Sequence, residues 1–233
     1  MLKIKIAGIP IGINNRYEYT ASICRDYLTD DEPLFTADAT DAEIDKENVL
    51  TGGEFSPGYL ESTVIFRNIA EQLPRYDAVV FHGAVLSKDG KAYAFTAKSG
   101  VGKTTHTRLW ISEFGDSVYY INGDKPVIRL VDGTPYAFGT PWRGKEGYGV
   151  NESAPLSAIA LLERGVTNSA VAVEPKDGAM RLMSQIYIPR TPRAAALTMR
   201  VANSIANSVR FVELKCNMDP EAAIVASRAM ILE

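Results

Sequence analysis

Lys103 and Thr104 close the run Ala97-Lys98-Ser99-Gly100-Val101-Gly102-Lys103-Thr104. Glycines let successive backbone N–H groups converge on one point, a lysine adds a positive charge, and a hydroxyl can sit on a divalent cation. Together these suit the phosphates of a nucleotide. The run departs from the phosphate-loop pattern at its first position, where Ala97 stands in place of Gly, a change the backbone accepts wherever φ is negative. Lys103 is expected on the β- and γ-phosphates of a nucleotide and Thr104 on Mg²⁺. Ser99, Gly100, Val101, Gly102 and Thr105 are expected to add backbone or hydroxyl contacts.

A loop of this kind works only with a strand before it and a helix after it. "KAYAFT" (91–96) is β-prone and aromatic, and "KTTHTRLWISEF" (103–114) spaces Leu109, Trp110 and Phe114 helically before Gly115. The strand is entered from "YDAVVFHGAVL", read as one buried strand, through the turn signal Asp89-Gly90. A two-residue turn sets His82 opposite Ala97 and a four-residue turn sets it opposite Phe95, so in both registers His82 lies beside the loop. It is a catalytic candidate. His106, on the helix, reads as structural.

Other segments return to the same edge. "SVYYIN" (117–122) predicts a strand that delivers Asp124 beside the loop, where one carboxylate suffices as a Mg²⁺ ligand next to phosphates. "PVIRLV" and "TPYAF", joined by Asp132-Gly133, bring back the glycine-rich "GTPWRGKEGYG" (139–149). Its Arg143 and Lys145 are candidates for stabilising charge on a transferring phosphoryl group, with Trp142 packing or stacking nearby.

The remaining pattern is mixed α/β. A strand or hairpin (1–15), a short helix (19–28), a strand (33–38) and an acidic segment expected to be a solvated helix or loop lead to an amphipathic helix (59–73) ended by Pro74. After residue 150 come a buried strand (155–164), helices near 176–187 and 191–207, the strand "VRFVELKC" and a final helix from Asp219. The expected division is a small α+β lobe over residues 1–57 and a core carrying the phosphate loop over 58–233.

With 233 residues, 46% of them hydrophobic, the chain can bury a full core. A net charge of −3 without a basic run gives no footprint for nucleic acid, and no segment reads as a membrane span or a cleavable signal. Cys24 and Cys216 have no Cys or His at metal spacing and read as free thiols of a cytoplasmic protein. Oligomerisation is left open.

"FHGAVLSKDGKAYAFTAKSGVGKTT", "INGDKPV" and "GTPWRGK" resemble segments of the phosphoenolpyruvate carboxykinase and HPr serine kinase/phosphorylase superfamily, in particular its small kinase-like members. The resemblance covers roughly residues 59–165. It implies an α/β P-loop nucleotide-binding fold with a mixed sheet and a hairpin feeding the loop. It also implies a catalytic role for His82 and ATP-dependent transfer to a hydroxyl of an unidentified protein, peptide or small molecule. The family's paired aspartates become Asp124-Lys125, which opens the alternative of a nucleotide-binding regulator with reduced turnover. Carboxykinase activity is not expected, since the carboxylate-binding arginines of that enzyme have no counterpart in the first 57 residues.

Overall fold

The alternating apolar residues at the start form a hairpin, β1 (Leu2–Ile6) and β2 (Ile9–Asn14), in the computed structural model, which describes residues 1–98 and 100–231. Ala7 and Gly8 both take positive φ, 50° and 72°, as a tight hairpin turn requires. After α1 (Glu18–Ile23) and a 3₁₀ turn at Arg25–Tyr27, β3 (Phe35–Asp38) pairs parallel to β2 and completes a three-stranded sheet. The acidic segment is a helix, α2 (Asp41–Leu50). It starts at a capping box in which Thr40 and Glu43 each satisfy the other's backbone N–H.

α3 (Pro57–Gln72) packs Leu60, Val64, Ile65 and Ile69 into one core with Ile4, Ile11 and Ile13 of the small sheet. Its buried Glu61 accepts hydrogen bonds from the N–H groups of Arg16 and Tyr17, at 2.6 and 3.2 Å, and from the Thr20 hydroxyl at 3.2 Å. This fixes the start of α1 against α3, which matters for the cavity described below.

The stretch expected to be one strand is two, β4 (Ala78–Val80) and β5 (Ala84–Lys88). The N–H groups between them leave the ladder: Phe81 donates to Pro126 O at 2.9 Å, His82 to Gln185 O at 2.7 Å and Gly83 to Asp124 O at 3.0 Å. A Cβ on Gly83 would lie 2.3 Å from the Phe81 ring, so only glycine lets the chain pass there. β6 (Lys91–Thr96) follows a two-residue turn with Asp89 and Gly90 at φ 51° and 75°, and Ala84 pairs with Phe95. The shorter-turn register is therefore the one adopted, but the ladder stops at Ala84, short of His82.

Next come α4 (Lys103–Phe114), β7 (Val118–Asn122), and the hairpin β8 (Val127–Val131) and β9 (Thr134–Phe138). β10 (Ser153–Arg164), β11 (Ser169–Val173), α5 (Pro175–Met183), α6 (Pro192–Ser208), β12 (Arg210–Cys216) and α7 (Glu221–Met230) complete the chain. β11 has no counterpart in the sequence reading; its exposed, short alternation carries little apolar signal. The large mixed sheet runs β4-β8-β9-β10-β6-β5-β7, with β12 on β10 and β11 on β12. β5 is antiparallel to both neighbours, so β6 and β7 point the same way and end together. Strand periodicity sorts the layers: Ala92 and Ala94 face Val201 and Ile205 of α6, while Tyr93 and Phe95 join Trp110 of α4 and Ala226 of α7.

Both cysteines are unpaired, and burial pushes the Cys24 thiol up to about 12. Among the described residues no helix is long and apolar enough to cross a membrane.

Candidate functional site

The loop leaving β6 turns on two glycines with positive φ, Gly100 at 78° and Gly102 at 121°, conformations that β-carbon-bearing residues rarely adopt. Ala97 is buried in the core that holds Trp110, so its methyl group packs where glycine would leave a gap. Val101 donates its N–H to Lys98 O at 3.2 Å and leans its side chain on the same core. The Arg164 guanidinium, from the end of β10, donates to Gly100 O at 2.6 Å and tethers the loop. Ser99 lies outside the described residues. Gly102 precedes α4 with no side-chain cap and no acidic residue in the first turn, which leaves the helix N-terminus free to attract an anion.

A cleft of about 350 Å³ opens at that helix end. Lys103, Thr104 and Thr107 line one side, and Asp124, Lys145 and Tyr148 line the other. Asp124 is set there by the buried Asn122, whose Oδ1 accepts the N–H groups of Asp124 and Lys125, both at 2.8 Å, while its Nδ2 donates to Thr140. The returning 139–149 segment lies directly on Asp124: a Cβ on Gly144 would come 2.7 Å from the Asp124 Cβ, and Gly123 N–H donates to Tyr148 O at 2.9 Å. Tyr148 stacks on Tyr120 at 4.6 Å, and the Tyr120 hydroxyl donates to Thr107 Oγ1.

Three charged or titratable side chains, Lys125, His82 and Lys103, surround Asp124. Its Oδ2 accepts from Lys125 Nζ at 2.8 Å, and its Oδ1 lies 3.6 Å from His82 Nε2. Burial, reinforced by the charges of Lys125 and Lys103 and opposed by Asp124, holds His82 below the ordinary imidazole value, so the ring is neutral at pH 7. Burial also lowers the Lys103 ammonium, with Asp124 pulling the other way and Lys125 adding to the fall. Lys103, His82, Asp124 and Thr104 thus stand at one end of the sheet, as their order in the sequence implies.

Arg143, Lys145 and Glu146 of the returning loop also border the cleft, but their charged groups are engaged or oriented in different ways. Arg143 turns its guanidinium to Asp26 of the N-terminal region, at 2.7 Å, and over the Tyr27 ring. Thr105 is exposed and outside the cleft lining, because the helix carries it to the opposite side from Thr104 and Thr107. Lys145 is exposed at the rim, and Glu146 is held by Arg108 at 2.8 Å. Trp142 packs on Phe66 of α3 with ring centres 4.7 Å apart and donates to Ser62 Oγ, joining the two sheets. His106 is buried against Phe95, the structural place expected of it.

Lys125, Asn122, Arg164 and the tyrosine pair join the site without standing among the residues expected there. Asn-Gly-Asp at a strand end is a turn signal that could have flagged Asn122. Arg164 and the tyrosines carry no local signal, since pairing across the sheet brings them in. Among the described residues no group of three or more His, Cys, Asp or Glu side chains could hold a metal ion. Mg²⁺ beside phosphates needs less, and Thr104 with Asp124 is a fitting pair of hard oxygen donors, although Lys125 competes for one Asp124 oxygen.

No family model and no curated protein matches the chain. Among solved structures, the Hpr(Ser) kinase/phosphatase from Coxiella burnetii is similar at 8% identity and a TM-score of 0.38, over 64% of this chain and 94% of that one. Similarity at that level decides neither fold family nor activity.

Proposed function

We propose that the chain is an ATP-dependent kinase that uses Mg²⁺ and transfers the γ-phosphoryl group to a hydroxyl. The observation that carries this reading is the single cleft shared by Lys103 and Thr104, at the uncapped start of α4, and Asp124, at the end of a strand parallel to β6. Lys103 and the N–H groups of the first turn bind phosphate oxygens, and Thr104 and Asp124 hold the metal. Mg²⁺ held there would supply charge neutralisation to the phosphates. His82, neutral at pH 7 and 3.6 Å from Asp124, takes the acceptor's proton. Lys145 offers charge stabilisation from the rim, and Arg143 does so on leaving Asp26.

The ion pair between Lys125 and Asp124 favours one second reading, a nucleotide-binding regulator whose turnover is reduced because the metal ligand is already engaged. Incubation of the full chain with γ-labelled ATP, Mg²⁺ and an extract of its own host separates the two. Label appearing on an acceptor with wild type, and absent with Asp124→Asn, supports the kinase. Nucleotide binding without any transferred label supports the regulator.

A further inference from the structure

Asp124 faces two cavities, and the second, of about 970 Å³, is the larger. It lies between the N-terminal region and the 139–149 loop, and it meets the phosphate cleft at Asp124, Arg143, Gly144 and Lys145. α1 and α3 wall it with aromatic rings. Phe66 and Trp142 pack on each other at 4.7 Å, and Phe55 stacks on Tyr59 at 4.7 Å with Tyr19 edge-on to Tyr59 at 6.0 Å. Tyr19, Phe55 and Tyr59 are between 39% and 42% exposed, a cluster of large apolar side chains left open to solvent at one place. Folding does not require that cluster to be open. The Glu61 hydrogen bonds that pin α1 to α3 hold it in position before any ligand arrives.

The charges lining the cavity are not balanced. Arg143 is neutralised by Asp26 and Lys125 by Asp124, whereas Arg25 and Lys145 have no ion-pair partner among the described residues. Two cations therefore remain beside an aromatic surface, and the bottom of the cavity is the carboxylate that faces the phosphate cleft.

We propose that this cavity is the acceptor site and that its occupant is a small molecule with a flat apolar body, an anionic group and a hydroxyl. The inference rests on the kinase reading. The apolar body lies among Phe66, Trp142 and Tyr59, the anion meets Arg25 and Lys145, and the hydroxyl reaches Asp124. The volume is that of a pocket for a compact ligand, with the mostly apolar lining and few convergent polar groups such sites have. In the transfer the hydroxyl oxygen bonds to the γ-phosphorus as the bond from that phosphorus to the β,γ-bridging oxygen breaks. ADP leaves, and the hydroxyl proton passes to His82 beside Asp124.

The test is a fluorescence titration of the full chain with 6-(hydroxymethyl)-2-naphthoate and with its uncharged amide, alongside calorimetry with MgADP. One saturable site is expected for the naphthoate, with weaker binding of the amide. Affinity should fall roughly tenfold in Tyr59→Ser through the lost ring contact and roughly threefold in Arg25→Gln through the lost charge. Both side chains are partly or fully exposed, so neither change strikes the core. A chain that binds MgADP but not the naphthoate, or binds naphthoate and amide alike in wild type and both variants, overturns the acceptor-site inference alone. So does a serine-bearing peptide that binds in a Tyr59-dependent way while the naphthoate is excluded. A chain that binds no MgADP overturns the kinase reading and this inference with it.

Discussion

His106 is an imidazole buried in the first half of α4, 2% exposed, with its ring centre 5.3 Å from that of Phe95 and neither nitrogen partnered among the described residues. Burial lowers its pKa to about 4 from 6.5. The unfolded chain therefore takes up this proton at a higher pH than the folded one. The stability associated with a neutral His106 is complete above 6.5 and is lost as the pH falls toward 4. A gap of this size is worth about 3 kcal/mol in all, of which about 2 kcal/mol is lost between pH 7 and pH 5. His106→Leu removes both the titration and two buried unpaired nitrogens. Urea denaturation followed by the fluorescence of the neighbouring Trp110 should find the variant at least as stable as wild type at pH 7. Its advantage should widen by about 2 kcal/mol at pH 5. Comparing the two proteins at each pH cancels the carboxylates that titrate in both. An advantage that is the same at the two pH values would refute the buried, neutral histidine.

Three further outcomes follow from the groups around Asp124. With His82 as the proton acceptor, kcat/KM should fall on the acid side with a midpoint below the ordinary imidazole value, the direction set by burial and by Lys125; a pH–rate profile that keeps this limb in His82→Gln would reject the role. Lys125→Ala frees Asp124 Oδ2, so the Mg²⁺ concentration for half-maximal turnover should drop several-fold, about as expected for removing a partly screened charge; an unchanged Mg²⁺ titration would mean that Asp124 is not a metal ligand. Arg143→Ala should lower kcat by on the order of a hundredfold with little change in ADP affinity, and a loss confined to affinity would make it a binding residue.

The parts of this architecture that are local in sequence were legible there. The two-residue turns at Asp89-Gly90 and Asp132-Gly133 need positive φ at both positions, and those residue types announce it. The helix after the loop, with Trp110 inward and Gly115 at its end, was readable for the same reason. What failed was set by non-local contacts. Nothing between Tyr76 and Leu86 says that residues 81–83 direct their N–H groups to Pro126, Gln185 and Asp124; Gly83 marks an irregularity there, but the apolar residues on either side of His82-Gly83 look like one strand. At the site, the convergence of Lys103, Thr104, Asp124 and His82 could be argued from element order alone. The direction of Arg143 could not, because its partner Asp26 is 117 positions away. Nor could the aromatic cavity, which exists only because Trp142 docks on α3.

The central claim is that the loop after β6 and the first turn of α4 bind nucleotide phosphates. Calorimetric titration of wild type and Lys103→Ala with MgATP tests it most directly. One saturable site in wild type, lost or weakened by at least roughly a hundredfold in the variant as expected for removing a partly buried charge from a phosphate, is the result predicted. Equal affinity in the two proteins, or no binding to wild type, would contradict it.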